Sequence, residues 1–207
     1  MPKLAISRKS YDVRLLQKWR RRRNGALKLG NGSKDLHDLL KKKARGRLKR
    51  SACFFGETYV ASVTPHREGY YSSFKWLTNR RFVGTGGFPN GPAQRYQEQF
   101  REALQRHFGR RRLERLQQAA RAICRSCYKE LAGKPPTPPD LWLVDRRGHH
   151  RFIEVKLPGN SVAPHQLAGM AAIACFLKGP KRVSVEVIEL HNEDQVFKDF
   201  CRKIKAG

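Results

Sequence analysis

A change of periodicity after residue 139 constrains the fold of this chain more than any other feature of its sequence. Residues 135–139 contain four prolines, and they end the preceding helical pattern because proline cannot continue a helix. Residues 141–145 and 151–156 then have the aliphatic and aromatic content of strands, and residues 146–150 lie between them as a turn. This pattern predicts a β-hairpin.

The segments around the hairpin predict an α/β unit. Apolar residues recur at helical spacing before the prolines, and a period-two segment and an amphipathic segment follow the hairpin. The predicted helices are 96–108, 113–127, 164–177, which has Pro164 in its first turn, and 194–205, and the predicted strand is 182–190. The order helix, strand, strand, helix, strand, helix is that of a small α/β domain.

The first 90 residues predict a separate, basic α+β region. Residues 11–19 form a short amphipathic pattern, and Ser33 can cap a second helix that ends at Lys41–Lys43. Residues 54–63 and 70–76 are rich in aromatic and β-branched side chains, which predicts two strands. Residues 85–92 are rich in Gly and Pro and predict a linker. We therefore expect one domain over 1–90 and a second over 91–207.

Positive charge is concentrated in the front half of the chain. The 207 residues include 44 Lys and Arg against 17 Asp and Glu, a net charge of +27, and residues 1–50 alone hold 18 basic and 3 acidic residues. Such an excess favours DNA or another nucleic acid as partner. The arginines predicted to contact the phosphate backbone are Arg110, Arg111, Arg112 and Arg115, whose alternative role is a solvated helix surface.

Several classes of protein are not expected. No run of about 18 apolar residues is present, which argues against a membrane-spanning helix. A membrane partner is not expected either, because no predicted helix combines a wide apolar face with a lysine-rich flank. The first thirty residues lack the apolar stretch of a usual secretory signal, and Cys124 and Cys127 have no second pair at zinc-site spacing. We expect a cytoplasmic location, or the cytoplasm of a target cell if the protein is delivered as an effector.

The hairpin carries residues suited to metal chemistry. Asp140 begins the first strand, and Glu154 and Lys156 are two residues apart on the second, so these two side chains share a face. Converging carboxylates bind hard divalent cations such as Mg²⁺, and a neighbouring lysine can orient a water or neutralise charge on a phosphate. The alternative interpretation is a set of surface charges on a hairpin.

These residues resemble a known nuclease family. Pro139-Asp140, followed by Phe-Ile-Glu154-Val-Lys156-Leu-Pro-Gly and by Gln166, is similar to the VRR-NUC branch of the PD-(D/E)XK nucleases. The resemblance covers residues 139–190 and implies a restriction-endonuclease-like core. It also implies Mg²⁺ or Mn²⁺ as cofactor.

The resemblance also implies a role for each matched residue. Asp140, Glu154 and the Val155 carbonyl would be metal ligands, Lys156 the catalytic lysine, and Gln166 a residue that orients substrate or water. The family also uses a glutamate on a helix before the hairpin. Glu98, Glu102 and Glu114 are the candidates here, and we prefer Glu98.

The predicted function is therefore metal-dependent hydrolysis of DNA. Two settings fit this chemistry: processing of DNA in repair or replication, and a toxic antibacterial effector that an acidic immunity protein would inhibit. The alternative is a non-catalytic basic protein that binds nucleic acid and retains only the nuclease fold. Such a protein would bind DNA with a steep dependence on salt but would not cut it.

Overall fold

Helices and a single mixed sheet make up the described part of this computed structural model, which covers residues 4–21, 27, 30, 32–45, 54–79, 82, 94–178 and 182–206. The strands are β1 Ala5–Tyr11, β2 Glu68–Tyr71, β3 Leu141–Val144, β4 His150–Lys156 and β5 Val183–Asn192. The helices are α1 Val13–Arg21, α2 Lys34–Arg45, α3 Phe55–Val63, α4 Gln94–Phe108, α5 Arg110–Ser126, α6 Pro164–Leu177 and α7 Glu193–Ala206. The α/β class predicted from the sequence is confirmed.

The sheet has the strand order β1-β5-β4-β3-β2. β1 is parallel to β5, whereas β2, β3 and β4 are antiparallel neighbours. Between β4 and β5, Arg151 forms a two-pronged ion pair with Glu186, with nitrogen–oxygen distances of 2.9 and 2.6 Å. Planar guanidinium and carboxylate groups pair well in this geometry, so the contact helps to hold the two strands in register.

The predicted hairpin is confirmed as β3 and β4, with Leu141 opposite Ile153 and Val144 opposite His150. Its turn is held by the Asp145 carboxylate, which accepts hydrogen bonds from the backbone N–H groups of Arg147 and His149. Gly148 adopts a φ of 72°, a conformation that glycine takes without strain. The strands and their turn together fix the positions of Asp140 and Glu154.

Residues 54–63 form helix α3, so the prediction of a strand there is wrong. Aromatic and β-branched residues favour strands only weakly, and packing overrides that preference. As a helix, the segment buries Phe55 and Val60 completely, and the Phe55 and Tyr59 rings stack at i and i+4. The strand predicted over 70–76 is only partly correct, because β2 begins at Glu68 and ends at Tyr71.

Helix α2 and the sheet share a core with α3. Ser33 caps α2, as predicted, by accepting a hydrogen bond from the Leu36 N–H at 3.4 Å. Leu36, Leu40 and Phe55 are buried against Leu141 and Ile153 of the hairpin in one apolar cluster. This cluster holds α3 close to β4.

The chain divides into two compact units. One contains Ser72–Pro139 and Val162–Val185, and the other contains Leu4–Tyr71, Asp140–Ser161 and Glu186–Gly207. The units do not follow the expected division into 1–90 and 91–207, because each takes segments from both. The predicted linker at 85–92 lies outside the described residues. Within the described ranges, no helix combines the length and apolarity needed to cross a bilayer.

Helix α6 packs against the proline-rich segment of its own unit. A Cβ atom placed on Gly169 would overlap the backbone carbonyl of Thr137. Alanine normally stabilises a helix by about 1 kcal/mol relative to glycine, but here the backbone would have to move. The close approach therefore depends on glycine at position 169.

Replacing Gly169 with alanine is expected to destabilise the protein by about 2 kcal/mol, in the range of overpacked cores. Urea unfolding followed by circular dichroism measures the change. The control is Ala171→Gly, an exposed position on the same helix, which should cost only the ordinary helix propensity. A Gly169→Ala protein as stable as the wild type would contradict the close packing.

Candidate active site

Asp140, Glu154 and Lys156 meet at one end of the hairpin, as their spacing predicts. The Lys156 ammonium lies 2.9 Å from a Glu154 carboxylate oxygen, and both side chains are almost completely buried. Asp140 directly precedes β3, and its carboxylate accepts a hydrogen bond from the Val155 N–H at 2.9 Å. The first strand thus presents one carboxylate to the part of β4 that carries the other.

A further carboxylate joins this group from helix α3. Glu57 is half-buried, and its charge interacts with those of Asp140, Glu154 and Lys156. All four residues belong to the same compact unit. The cluster therefore contains three carboxylates and one ammonium group.

The helical glutamate preferred from the sequence, Glu98, does not lie in the compact unit that contains this cluster. Glu98 and Glu102 lie on α4 and Glu114 lies on α5, in the other compact unit. The Glu114 carboxylate is paired with Arg110 at 2.9 Å on its own helix. Of these glutamates, only Glu57 shares a compact unit with Asp140 and Glu154.

Local packing explains how α3 brings Glu57 close to the hairpin. Gly56, the preceding residue, faces β4, and a Cβ atom there would lie 2.9 Å from a Val155 methyl group. The absence of a side chain thus lets the helix approach the strand closely. Phe55 anchors the same turn through edge-to-face contact with Tyr11.

The environment favours the protonated forms of two of these carboxyl groups. Burial is the largest cause and raises the pKa of Glu154 to about 8, with a further increase from the charge of Asp140. The hydrogen bond and charge of Lys156 oppose this increase without cancelling it. Burial and then the charge of Asp140 likewise raise the pKa of Glu57 to about 8. Perturbed carboxyl groups of this kind are concentrated at functional sites.

The donor set suits a hard divalent cation. With all four groups ionised, the cluster has two excess negative charges, which a divalent cation would neutralise. Among the described residues, no three His, Cys, Asp or Glu side chains are already arranged as a metal cage. Mg²⁺ does not need one, because it commonly takes one or two carboxylates together with waters and substrate phosphate oxygens.

Gln166, expected to orient substrate or water, has a structural contact at its own helix terminus. Its side-chain oxygen accepts a hydrogen bond from the Ala163 N–H at 3.0 Å. Ala163 precedes the first residue of α6, so Gln166 satisfies a backbone donor at the helix start. Gln166 belongs to the compact unit that does not contain the carboxylate cluster.

The four arginines predicted to bind nucleic acid lie together on the first two turns of α5. Arg110, Arg111 and Arg115 are exposed, and Arg112 is half-buried. Arg110 forms an ion pair with Glu114. The group thus presents positive charge at one end of the helix.

Sequence analysis missed Glu57 because its segment was predicted to be a strand. One signal was nonetheless present: Glu57 is the only charged residue in residues 52–65. A carboxylate inside an otherwise apolar segment is costly to bury without a partner. The same cost applies to Glu154, which lies between Ile153 and Val155 on β4.

Comparison with known proteins does not assign a family. No family model, no curated protein and no solved structure matches this chain. The resemblance to the VRR-NUC nucleases therefore depends on the motif residues themselves: Asp140, Glu154 and Lys156 on the hairpin, and Gln166 on α6.

Proposed function

We propose that this protein is a divalent-metal-dependent nuclease that hydrolyses phosphodiester bonds in DNA, with a restriction-endonuclease-like core built around β3 and β4. The observation that carries the proposal is the meeting of Glu57, Asp140, Glu154 and Lys156 in one partly buried cluster. Such a cluster destabilises the metal-free fold, which favours a functional role over a purely structural one. Burying carboxylates beside one another is unfavourable, because each disfavours the charged form of its neighbour.

The residues divide between holding a cation and handling charge. Asp140 and Glu154 would hold Mg²⁺ or Mn²⁺, with the Val155 carbonyl as a further ligand and Glu57 as the helical carboxylate. When bound, the cation would polarise the scissile phosphate and lower the pKa of a bound water. Lys156, 2.9 Å from Glu154, would donate hydrogen bonds to that water or to a phosphate oxygen.

The charge of the chain supports DNA as substrate. A net charge of +27 favours a polyanion, and the arginines at the start of α5 would contribute to backbone binding. The same chemistry serves DNA repair, replication processing or an antibacterial effector. In the effector setting, a small acidic immunity protein would block this positively charged surface.

Cleavage assays with the purified protein test the proposal. Supercoiled plasmid and linear single-stranded DNA are incubated with Mg²⁺, with Mn²⁺ and with EDTA. We expect cutting that requires the divalent ion and is abolished in Asp140→Ala, Glu154→Ala and Lys156→Ala, while circular dichroism is unchanged. Nicking of the plasmid would indicate endonuclease activity, and degradation from ends would indicate exonuclease activity.

A non-catalytic DNA-binding protein is the second candidate. The observation that favours it is the pairing of Glu154 with Lys156 in place of a preformed metal cage in the described residues. This candidate predicts binding that weakens steeply with salt and no cutting under any metal condition. Cutting that survives in all three alanine variants would reject the proposed active site.

A further inference from the structure

A cavity of about 560 Å³ lies where α4 gives way to α5. It belongs wholly to the compact unit that contains α4, α5 and α6. Its walls are two aromatic rings, a cysteine, a glycine and four arginines: Phe108, Gly109, Arg110, Arg111, Arg112, Arg115, Cys175 and Phe176. We call it the arginine pocket.

Four arginines line the arginine pocket, with little negative charge to balance them. Arg110 is paired with Glu114, and the first turn of α5 has no acidic residue. Within the described residues, the structure shows no ion pair for Arg111, Arg112 or Arg115. The arrangement leaves a local excess of about three positive charges.

The three helix ends at the arginine pocket do not balance the charge of the arginines. The backbone of α5 adds roughly half a positive charge at its start, where Gly109 has a φ of 79° and provides no side-chain cap. The carboxyl end of α4, at Phe108, and that of α6, near Cys175 and Phe176, each provide roughly half a negative charge. The three helix ends together leave roughly half a negative charge. This is much less than the positive charge of the arginines, so a positive excess remains and favours an anion.

The shape of the arginine pocket limits the size of that anion. Its volume falls in the range of about 300–1,000 Å³ that holds one small molecule, which is enough for a single nucleotide but not for a length of duplex. Phe108 and Phe176 provide apolar surface beside the guanidinium groups. A ligand with a flat apolar part and a strongly charged part matches these walls.

We propose that the arginine pocket binds a nucleotide through its phosphate monoester, as found at the phosphorylated end of a nucleic-acid strand. A monoester carries a charge of about −1.5 to −2 at pH 7, against −1 for a phosphodiester within a strand. It therefore balances more of the arginine charge. The choice of a nucleic-acid ligand rests on the proposed function, whereas the preference for a strong anion rests on the pocket.

Binding measurements in EDTA test the proposal independently of cleavage. Fluorescence anisotropy compares labelled oligonucleotides of one sequence that carry a 5′-phosphate, a 3′-phosphate or only hydroxyl ends. We expect one phosphorylated end to bind at least about tenfold more tightly than the hydroxyl ends, since charged hydrogen bonds are the strong ones. Competition with a nucleoside monophosphate then identifies the source of the phosphate. If the monophosphate displaces the oligonucleotide at micromolar concentration, the pocket binds a free nucleotide. If it does not displace the oligonucleotide, the pocket binds a strand end.

Two variants of equal charge separate the arginine pocket from net charge. Arg111→Gln/Arg112→Gln should remove the preference for the phosphorylated end. Arg125→Gln/Lys129→Gln, which changes exposed residues at the other end of α5 and just beyond it, should keep the preference. Equal binding of all oligonucleotides by the wild-type protein, or equal loss in both variants, would overturn the proposal. Because binding is measured in EDTA, either result is independent of the outcome of the metal-dependent cleavage assay.

Discussion

Replacing Glu57 with glutamine is expected to reduce metal-dependent cleavage by about 100-fold, the upper end of the cost of losing a supporting group at a metal site. The substitution preserves the shape of the side chain but removes the carboxylate that Glu57, once ionised, would offer to a bound cation beside Asp140 and Glu154. Fewer negative charges would hold the cation less tightly. Initial rates of plasmid cleavage over a range of Mg²⁺ concentrations measure the effect.

Glu98→Gln is the matched control for this prediction. It makes the same chemical change at the glutamate preferred under the family resemblance, on α4 in the other compact unit. We expect Glu98→Gln to cleave at a rate close to the wild type. The opposite pattern, with Glu98→Gln inactive and Glu57→Gln active, would remove α3 from the proposed active site.

The hairpin and its three charged residues could be predicted from the sequence because the relevant signals are local. The prolines at 135–139, the turn around Gly148 and the two-residue spacing of Glu154 and Lys156 all act within about 20 residues. A strand pair joined by a short turn fixes which side chains face each other. Asp140 and Glu154 therefore follow from the sequence almost directly.

Helix α3 could not be predicted in the same way, because its conformation depends on distant residues. Phe55 packs against Tyr11 and Trp19, both far away in the chain, and Gly56 fits closely against Val155. Without those contacts, the aromatic and β-branched residues of the segment favour a strand. Because the segment was predicted to be a strand, Glu57 was not a candidate for the helical glutamate.

Strand β1 depends on an even longer-range interaction. Its residues, including Ile6 and Arg8, are mostly exposed and lack a clear period-two apolar pattern. It pairs in parallel with β5, about 180 residues later, with Ala5 opposite Glu186. Short strands whose pairing supplies their stability leave little trace in their own sequence.

The metal-free protein is expected to lose stability as the pH rises from about 4.5 to about 8. Glu57 and Glu154 have an ordinary pKa of 4.5 that the folded state raises to about 8. Between these values the folded protein binds more protons than the unfolded chain. The free energy of unfolding therefore decreases as the pH increases through that interval, and this contribution is fully present only below about pH 4.5.

A comparison with Glu154→Gln isolates the contribution of one carboxyl group. His37 and His66 have pKa values lowered by burial, so their effect on stability has the opposite sign near pH 6.5. Because both proteins contain these histidines, their effect cancels in the difference. Glutamine resembles the protonated acid, so the variant should be about as stable as the wild type at pH 5.

Above pH 8 the Glu154→Gln variant should be more stable than the wild type, by on the order of 5 kcal/mol, since the pKa of Glu154 rises from 4.5 to about 8 and one pKa unit corresponds to about 1.4 kcal/mol. Urea unfolding in EDTA from pH 5 to 9 measures the difference, and 10 mM Mg²⁺ should stabilise only the wild type. A stability difference that does not change with pH would contradict the raised pKa of Glu154. A cation site should show both effects. Its carboxylate destabilises the metal-free protein, and removing that carboxylate abolishes stabilisation by Mg²⁺, because the ion supplies the positive charge that the folded chain lacks.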